Sequence, residues 1–170
     1  MFEDDLEPGD SHRVRAALGW LELGNAKEAR AELSDLSEAA KIHPDVLEIL
    51  WAICSEAKDW EEALSWADAL VENHPERSSG WIHRAYSLRR VKKGGLEMAW
   101  SVLVEAAKRF PEEPIIAYNL SCYAAQFGRL SDAWDWFEKA LGAADDVESI
   151  KNMALGDDDL KSLWGRIQSL

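Results

Sequence analysis

Apolar residues recur along this chain in steps of three and four. Leu47, Leu50, Trp51 and Cys54 stand at i, i+3, i+4 and i+7, and Leu160, Leu163, Trp164 and Ile167 repeat that spacing near the end. This is the period of a helix with one apolar face. Turn signals interrupt it at Gly24-Asn25, Lys58-Asp59, Gly94-Gly95 and Gly128-Arg129, and prolines interrupt it at Pro44, Pro75 and Pro111. Between these breaks the pattern reads helix, short turn, helix, proline-marked turn. The chain is therefore expected to be all-α.

The breaks fall in a repeat. Ala29, Ala63, Ala99 and Ala133 sit in similar settings (KEARAEL, EEALSWA, EMAWSVL, SDAWDWF) at spacings of 34, 36 and 34 residues. A small side chain at a helix crossing lets two helices approach to about 8–10 Å. Leu33, Leu103 and Phe137 follow four residues after three of these alanines and fill the space beside them. A lone hairpin cannot bury its apolar face, so hairpins of this kind stack into a shared core.

The pattern resembles the tetratricopeptide repeat, whose signature runs Trp-x2-Leu-Gly-x2-Tyr, then Ala-x3-Phe, then Pro over about 34 residues. Trp81, Leu88, Ala99, Leu103 and Pro111 take these places in one unit, and Leu120, Ala133 and Phe137 in the next. Trp51 departs from the pattern by replacing a small residue, and Arg84 by replacing a Leu; the first unit carries Arg13 at the Trp place. The resemblance implies a right-handed α-solenoid of about four helix hairpins, at about 11–43, 44–77, 78–113 and 114–145. Residues 1–10 read as an acidic, disordered tail. The segment 146–170 reads as a capping helix pair, with Asp145 or Asp146 capping a helix to about Leu155, Gly156 stopping it and Asp157 capping a last helix.

Charge narrows the partners. The 170 residues hold 32 acids against 19 Lys and Arg, a formal charge of −13, which argues against phosphate-neutralising nucleic-acid binding and against adhesion to anionic lipid. No apolar run reaches the roughly 18–20 residues of a membrane span. The start, MFEDDLEPGD, lacks the apolar stretch of a secretory signal, so a cytoplasmic location is the expectation. Cys54 and Cys122 read as small buried residues. His43 and His74 each directly precede a boundary proline, where turn chemistry accounts for them. No nucleophile, phosphate-loop or metal-ligand motif occurs. We therefore expect no catalytic residue, no metal and no cofactor.

One stretch runs against the acidic balance. WIHRAYSLRRVKKGG, at 81–95, holds Arg84, Arg89, Arg90, Lys92 and Lys93. The resemblance implies a concave groove lined by the first helix of each hairpin. On that reading Ile82, His83, Tyr86, Arg89 and Arg90 face the groove in the third unit, and Tyr118, Asn119, Cys122 and Gln126 in the fourth. Val14, Arg15, Leu18 and Glu22 in the first unit and Glu48, Ile49, Ala52 and Glu56 in the second occupy the aligned places. Arg89, Arg90, Lys92 and Lys93 are expected in the last turn of their helix, where cations complement the macrodipole. Arg84 occupies an expected packing position, so it is expected to snorkel to solvent or to pair with a carboxylate. The implied function is a non-enzymatic scaffold or adaptor holding a peptide or helix of a partner protein, with the two arginines gripping an acidic side chain. Two alternatives stay open. One is self-association into a homodimer or larger oligomer through Trp164, Leu163 or outer Trp residues; the other is a small acidic secretion-type chaperone.

Overall fold

The structure is a computed structural model that describes residues 6–170; of the stretch read as a disordered tail, residues 1–5 lie outside it, while Pro8, Gly9 and Asp10 belong to the first helix. Among the described residues ten α-helices follow one another: α1 (Pro8–Glu22), α2 (Ala26–Ser34), α3 (Pro44–Glu56), α4 (Trp60–Asn73), α5 (Ser78–Leu88), α6 (Leu96–Arg109), α7 (Pro114–Gln126), α8 (Leu130–Ala143), α9 (Val147–Leu155) and α10 (Trp164–Ile167). Short 3₁₀ helices occupy Ala40–Ile42 and Asp158–Leu163. Sequential helices pack as hairpins, α1 on α2, α3 on α4 and α7 on α8.

Local chemistry sets the ends. Asn25, Asp59 and Asp146 each accept a bond from the backbone N–H three residues on, at 3.3, 3.1 and 3.0 Å, satisfying donors that a helix start leaves open. Pro44 and Pro114 open α3 and α7, where a missing N–H costs nothing. The tight turns inside the hairpins share one backbone shape. Gly24, Lys58 and Gly128 take φ of 72°, 57° and 74°, and the following N–H reaches back to the carbonyls of Trp20, Cys54 and Ala124 at 2.8–2.9 Å. Of these three, only Lys58 holds the left-handed geometry with a side chain.

The chain divides into two compact units, Met1–Gly95 and Leu96–Leu170. In the first, Val14, Ala17, Leu33, Val46, Ile49 and Ile53 centre a core to which α1, α2 and α3 contribute. Ala29 and Ala63 are fully buried, as the close-crossing argument requires. Helix α5 packs on α4 and α3. Gly80 marks its close approach: a Cβ there would stand 3.0 Å from Leu70 Cγ. In the second unit Leu103, Ile116, Leu120, Phe137, Leu160 and Ile167 are all at most 1% exposed, and Ala99 and Ala133 are again fully buried. Thus the two helices expected to form the third hairpin, α5 and α6, belong to different units, and the division falls at Gly95 and Leu96.

Two expectations need correction. Helix α5 ends at Leu88, so Arg89, Arg90, Lys92 and Lys93 follow the helix instead of filling its last turn. The cause is capture of the Leu88 carbonyl by Gly95 N–H at 2.8 Å, with Gly95 at φ 134°. Arg90 and Val91 N–H both turn back to Ser87. The last predicted helix is also mostly 3₁₀ from Asp158 to Leu163. In a 3₁₀ helix residues i and i+3 share one face, which suits the buried pair Leu160 and Leu163. The capping residues themselves are as read, Asp146 for α9 and Asp157 for the turn that follows Gly156.

Candidate functional site

A cavity of about 550 Å³ opens on the first unit, walled by α1, α3 and the start of α5. Leu18 and Leu21 of α1 and Ile49 and Ala52 of α3 give it an apolar floor. The two residues of each pair lie three apart on their helix, so each pair forms one stripe. Trp51 and His83 form a wall, and Asp45, Glu48 and Arg77 form a polar rim.

Ring contacts and one hydrogen bond tie the wall together. The Trp51 and His83 rings lie face to face, with centroids 3.7 Å apart and planes 8° from parallel. Trp51 Nε1 donates to Ser87 Oγ at 3.0 Å, and Ser87 is fully buried. Tyr86 meets the Trp51 ring edge-on at 5.9 Å. The large ring that broke the repeat pattern at Trp51 therefore wedges α3 against α5. His83 Nδ1 is buried without a hydrogen-bond partner, and burial pushes the imidazole down to about 4. The ring is neutral at pH 7.

The rim holds two carboxylates around one guanidinium. Arg77 Nη1 lies 3.1 Å from Asp45 Oδ1 and 3.6 Å from Glu48 Oε1. Ser79 Oγ donates to Glu48 Oε1 at 2.5 Å. The sum is one negative charge in excess at the edge of an apolar floor.

Of the residues the sequence points to, Leu18, Glu48, Ile49, Ala52 and His83 come together at this cavity. Tyr86 and Arg90 form a neighbouring cluster. The Arg90 guanidinium lies 3.4 Å from the Tyr86 ring centroid and 5.2 Å from that of Trp60, and its Nη1 donates to the Tyr86 carbonyl at 2.8 Å. Ile82 and Arg89 are half-buried on the same segment. Arg84 lies with its Nε 2.8 Å from Asp68 Oδ1; this is an ion pair by distance, while the N–H misses the angle of a hydrogen bond.

In the second unit Tyr118 and Gln126 are engaged by the chain's own C-terminal turn. Tyr118 is buried and its hydroxyl donates to Asp157 Oδ2 at 2.9 Å. Cys122 Sγ lies 3.5 Å from the same oxygen, and Gln126 Nε2 donates to the Asp159 carbonyl at 3.4 Å. Burial, helped by the Asp157 charge, raises the pKa values of both Tyr118 and Cys122. Asn119 is half-buried beside them in sequence.

Sequence reasoning did not place Leu21, Asp45, Trp51 and Arg77 at the site. Trp51 carried a usable signal, since a large ring at a small-residue place has to go somewhere. Arg77 precedes its helix, and nothing in the periodicity of α5 reports on it.

No family model matches the sequence, and no curated protein does. Solved structures do match the fold over almost the whole chain. One is TTC0263, a thermophilic TPR protein of Thermus thermophilus, with a TM-score of 0.66 at 19% identity, covering 95% of this chain and 100% of that one. The chain has the tetratricopeptide-repeat fold. MamA from residue 41 to its end, of Desulfovibrio magneticus RS-1, is similar at TM-score 0.68 and 16% identity, over 97% of this chain and 96% of that one. The MamA RS-1 ArsTM double mutant gives TM-score 0.67 at 16% identity, over 96% and 93%. The cavity lies against α1, α3 and α5. Among the described residues no group of three or more His, Cys, Asp and Glu stands close enough to hold a metal ion, and no helix is long and apolar enough to cross a membrane.

Proposed function

We propose that this protein is a non-catalytic interaction scaffold that holds a peptide or helical segment of a partner protein in the cavity walled by α1, α3 and α5. The observation that carries the reading is the pairing of an apolar floor with a polar rim. A volume of about 550 Å³ falls within the range of sites that enclose ligand groups. Each apolar side chain seated on the Leu18, Leu21, Ile49 and Ala52 floor would contribute about 1.5–3 kcal/mol. The Trp51–His83 wall is already stacked in the free chain, and preorganisation of this kind lowers the entropic cost of association.

Arg90 fits a different role from the acidic-peptide anchor expected of it. Its guanidinium is spread over Tyr86 and returns a hydrogen bond to the Tyr86 carbonyl, so its contacts support closing the α5 end. The tetratricopeptide-repeat fold itself supports protein binding as a class, and the cavity supports where on the chain it takes place. Affinity capture from native cell extract, followed by mass spectrometry, tests the reading. Leu18→Gln with Ala52→Gln adds polar bulk to the floor without altering charge, at two half-buried positions. Leu18 also packs against the core, so the expected result is a variant that still melts cooperatively, at a somewhat lower temperature, with loss of the captured protein. Equal capture by wild type and double variant would sink the proposal.

A further inference from the structure

We infer that the segment seated in this cavity carries a Lys or Arg beside a large aliphatic side chain, the aliphatic group lying on the floor and the cation at Glu48. The inference rests on the cavity being the partner site, and adds the chemistry of what occupies it.

The rim decides the charge. Asp45, Glu48 and Arg77 are its charged groups, and the neutral His83 ring contributes none. Arg77 is already committed to Asp45 at 3.1 Å, with Glu48 at 3.6 Å. Glu48 uses Oε1 for both Arg77 and Ser79, while its Oε2 takes no hydrogen bond among the described residues. An ionised carboxylate has about four acceptor sites, so Glu48 retains capacity for a donor from outside. With a side chain 31% exposed, Glu48 borders both solvent and the apolar floor, where a cation is attracted more strongly than in bulk water. A partner carboxylate placed there would meet Glu48 as a like charge.

Geometry favours a mixed segment over a bare cation. Lys and Arg carry long apolar stems that lie along hydrophobic surface while the head reaches a carboxylate. The floor residues Ile49 and Ala52 lie one and four residues from Glu48 on α3, so a floor contact and a Glu48 contact are within reach of adjacent partner residues. The net charge of −13 attracts cationic segments at long range and repels acidic ones.

Panning a random twelve-residue peptide display library on the immobilised full chain tests this, with the Leu18→Gln, Ala52→Gln variant panned in parallel. Recovered peptides are expected to place Lys or Arg next to Leu, Ile, Met or Phe. Synthetic copies should bind Glu48→Lys at least about tenfold more weakly than wild type, Glu48→Gln a few-fold more weakly, and wild type more weakly as salt rises. Thermal melting of each variant checks that it folds. Peptides that are acidic or uncharged, or that ignore Glu48→Lys, while still failing on the double variant, overturn the cation inference and leave the cavity reading intact. Peptides that bind the double variant equally, or no enrichment at all, overturn the cavity reading and the inference together.

Discussion

His83 makes the fold itself sensitive to pH. Its ring lies flat on Trp51 at 3.7 Å with Nδ1 buried and unpartnered, and burial holds its pKa at about 4 against an ordinary value of about 6.5. Folding therefore favours the neutral ring, and between those two pH values the unfolded chain binds the extra proton. The contribution is fully present above about pH 6.5 and is lost progressively as pH falls toward 4. A gap of about 2.5 pH units sets its limit at about 3.4 kcal/mol, since each unit is worth about 1.36 kcal/mol. Between pH 7 and pH 5 the linkage relation gives a loss of about 2 kcal/mol from this ring alone. Carboxylates titrate as well, so the comparison has to be made against His83→Phe, which keeps an aromatic ring on Trp51 and removes the titration. Urea unfolding at pH 7 and pH 5 should show wild type losing about 2 kcal/mol more than the variant over that interval. Equal losses in the two proteins would refute the buried, neutral histidine.

Four further outcomes follow from the backbone and the C-terminal turn. Lys58 holds φ of 57° where the equivalent turns have Gly24 and Gly128; Lys58→Gly should raise stability by about 0.5–1 kcal/mol in urea unfolding, since a left-handed non-glycine residue costs about 1–2 kcal/mol, partly offset by glycine's entropy. At Gly94 a Cβ would stand 1.9 Å from the Leu88 carbonyl oxygen; Gly94→Ala should cost at least about 2 kcal/mol, whereas Gly19→Ala, which meets nothing within 4 Å inside α1, should gain about 0.5–1 kcal/mol. Tyr118→Phe removes the buried donor to Asp157; it should cost about 1.5–3 kcal/mol and speed proteolytic cleavage next to Gly156, read by mass spectrometry of the fragments.

The repeat was legible because its marks are local. Buried Ala29, Ala63, Ala99 and Ala133, the turn pairs at Gly24-Asn25 and Lys58-Asp59, and the caps Asp146 and Asp157 each act within a few residues, so periodicity and capping chemistry report them directly. The site was legible only in part. Ile49 and Ala52 fall on the cavity because their helical phase is set by the same period that builds the core. The partners of a side chain across helices are a different matter. That Trp51 stacks on His83, that Arg77 lies against Asp45, and that Asp157 accepts from Tyr118 depend on packing between segments 32 to 39 residues apart. The end of α5 eluded the pattern for a related reason. An apolar and basic stripe extends helically through Lys93, but Gly95 takes the Leu88 carbonyl, and one hydrogen bond decides where the helix stops.

The central claim is that partner protein contacts the face where α1, α3 and α5 meet. A small apolar photo-reactive diazirine side chain in place of Ala52, which keeps the floor apolar, addresses it most directly, with the same group in place of Glu105, exposed on α6, as the comparison. Irradiation in cells should link partner protein to the Ala52 position and not to the Glu105 position. Partner linked at Glu105 while Ala52 stays bare would contradict the account.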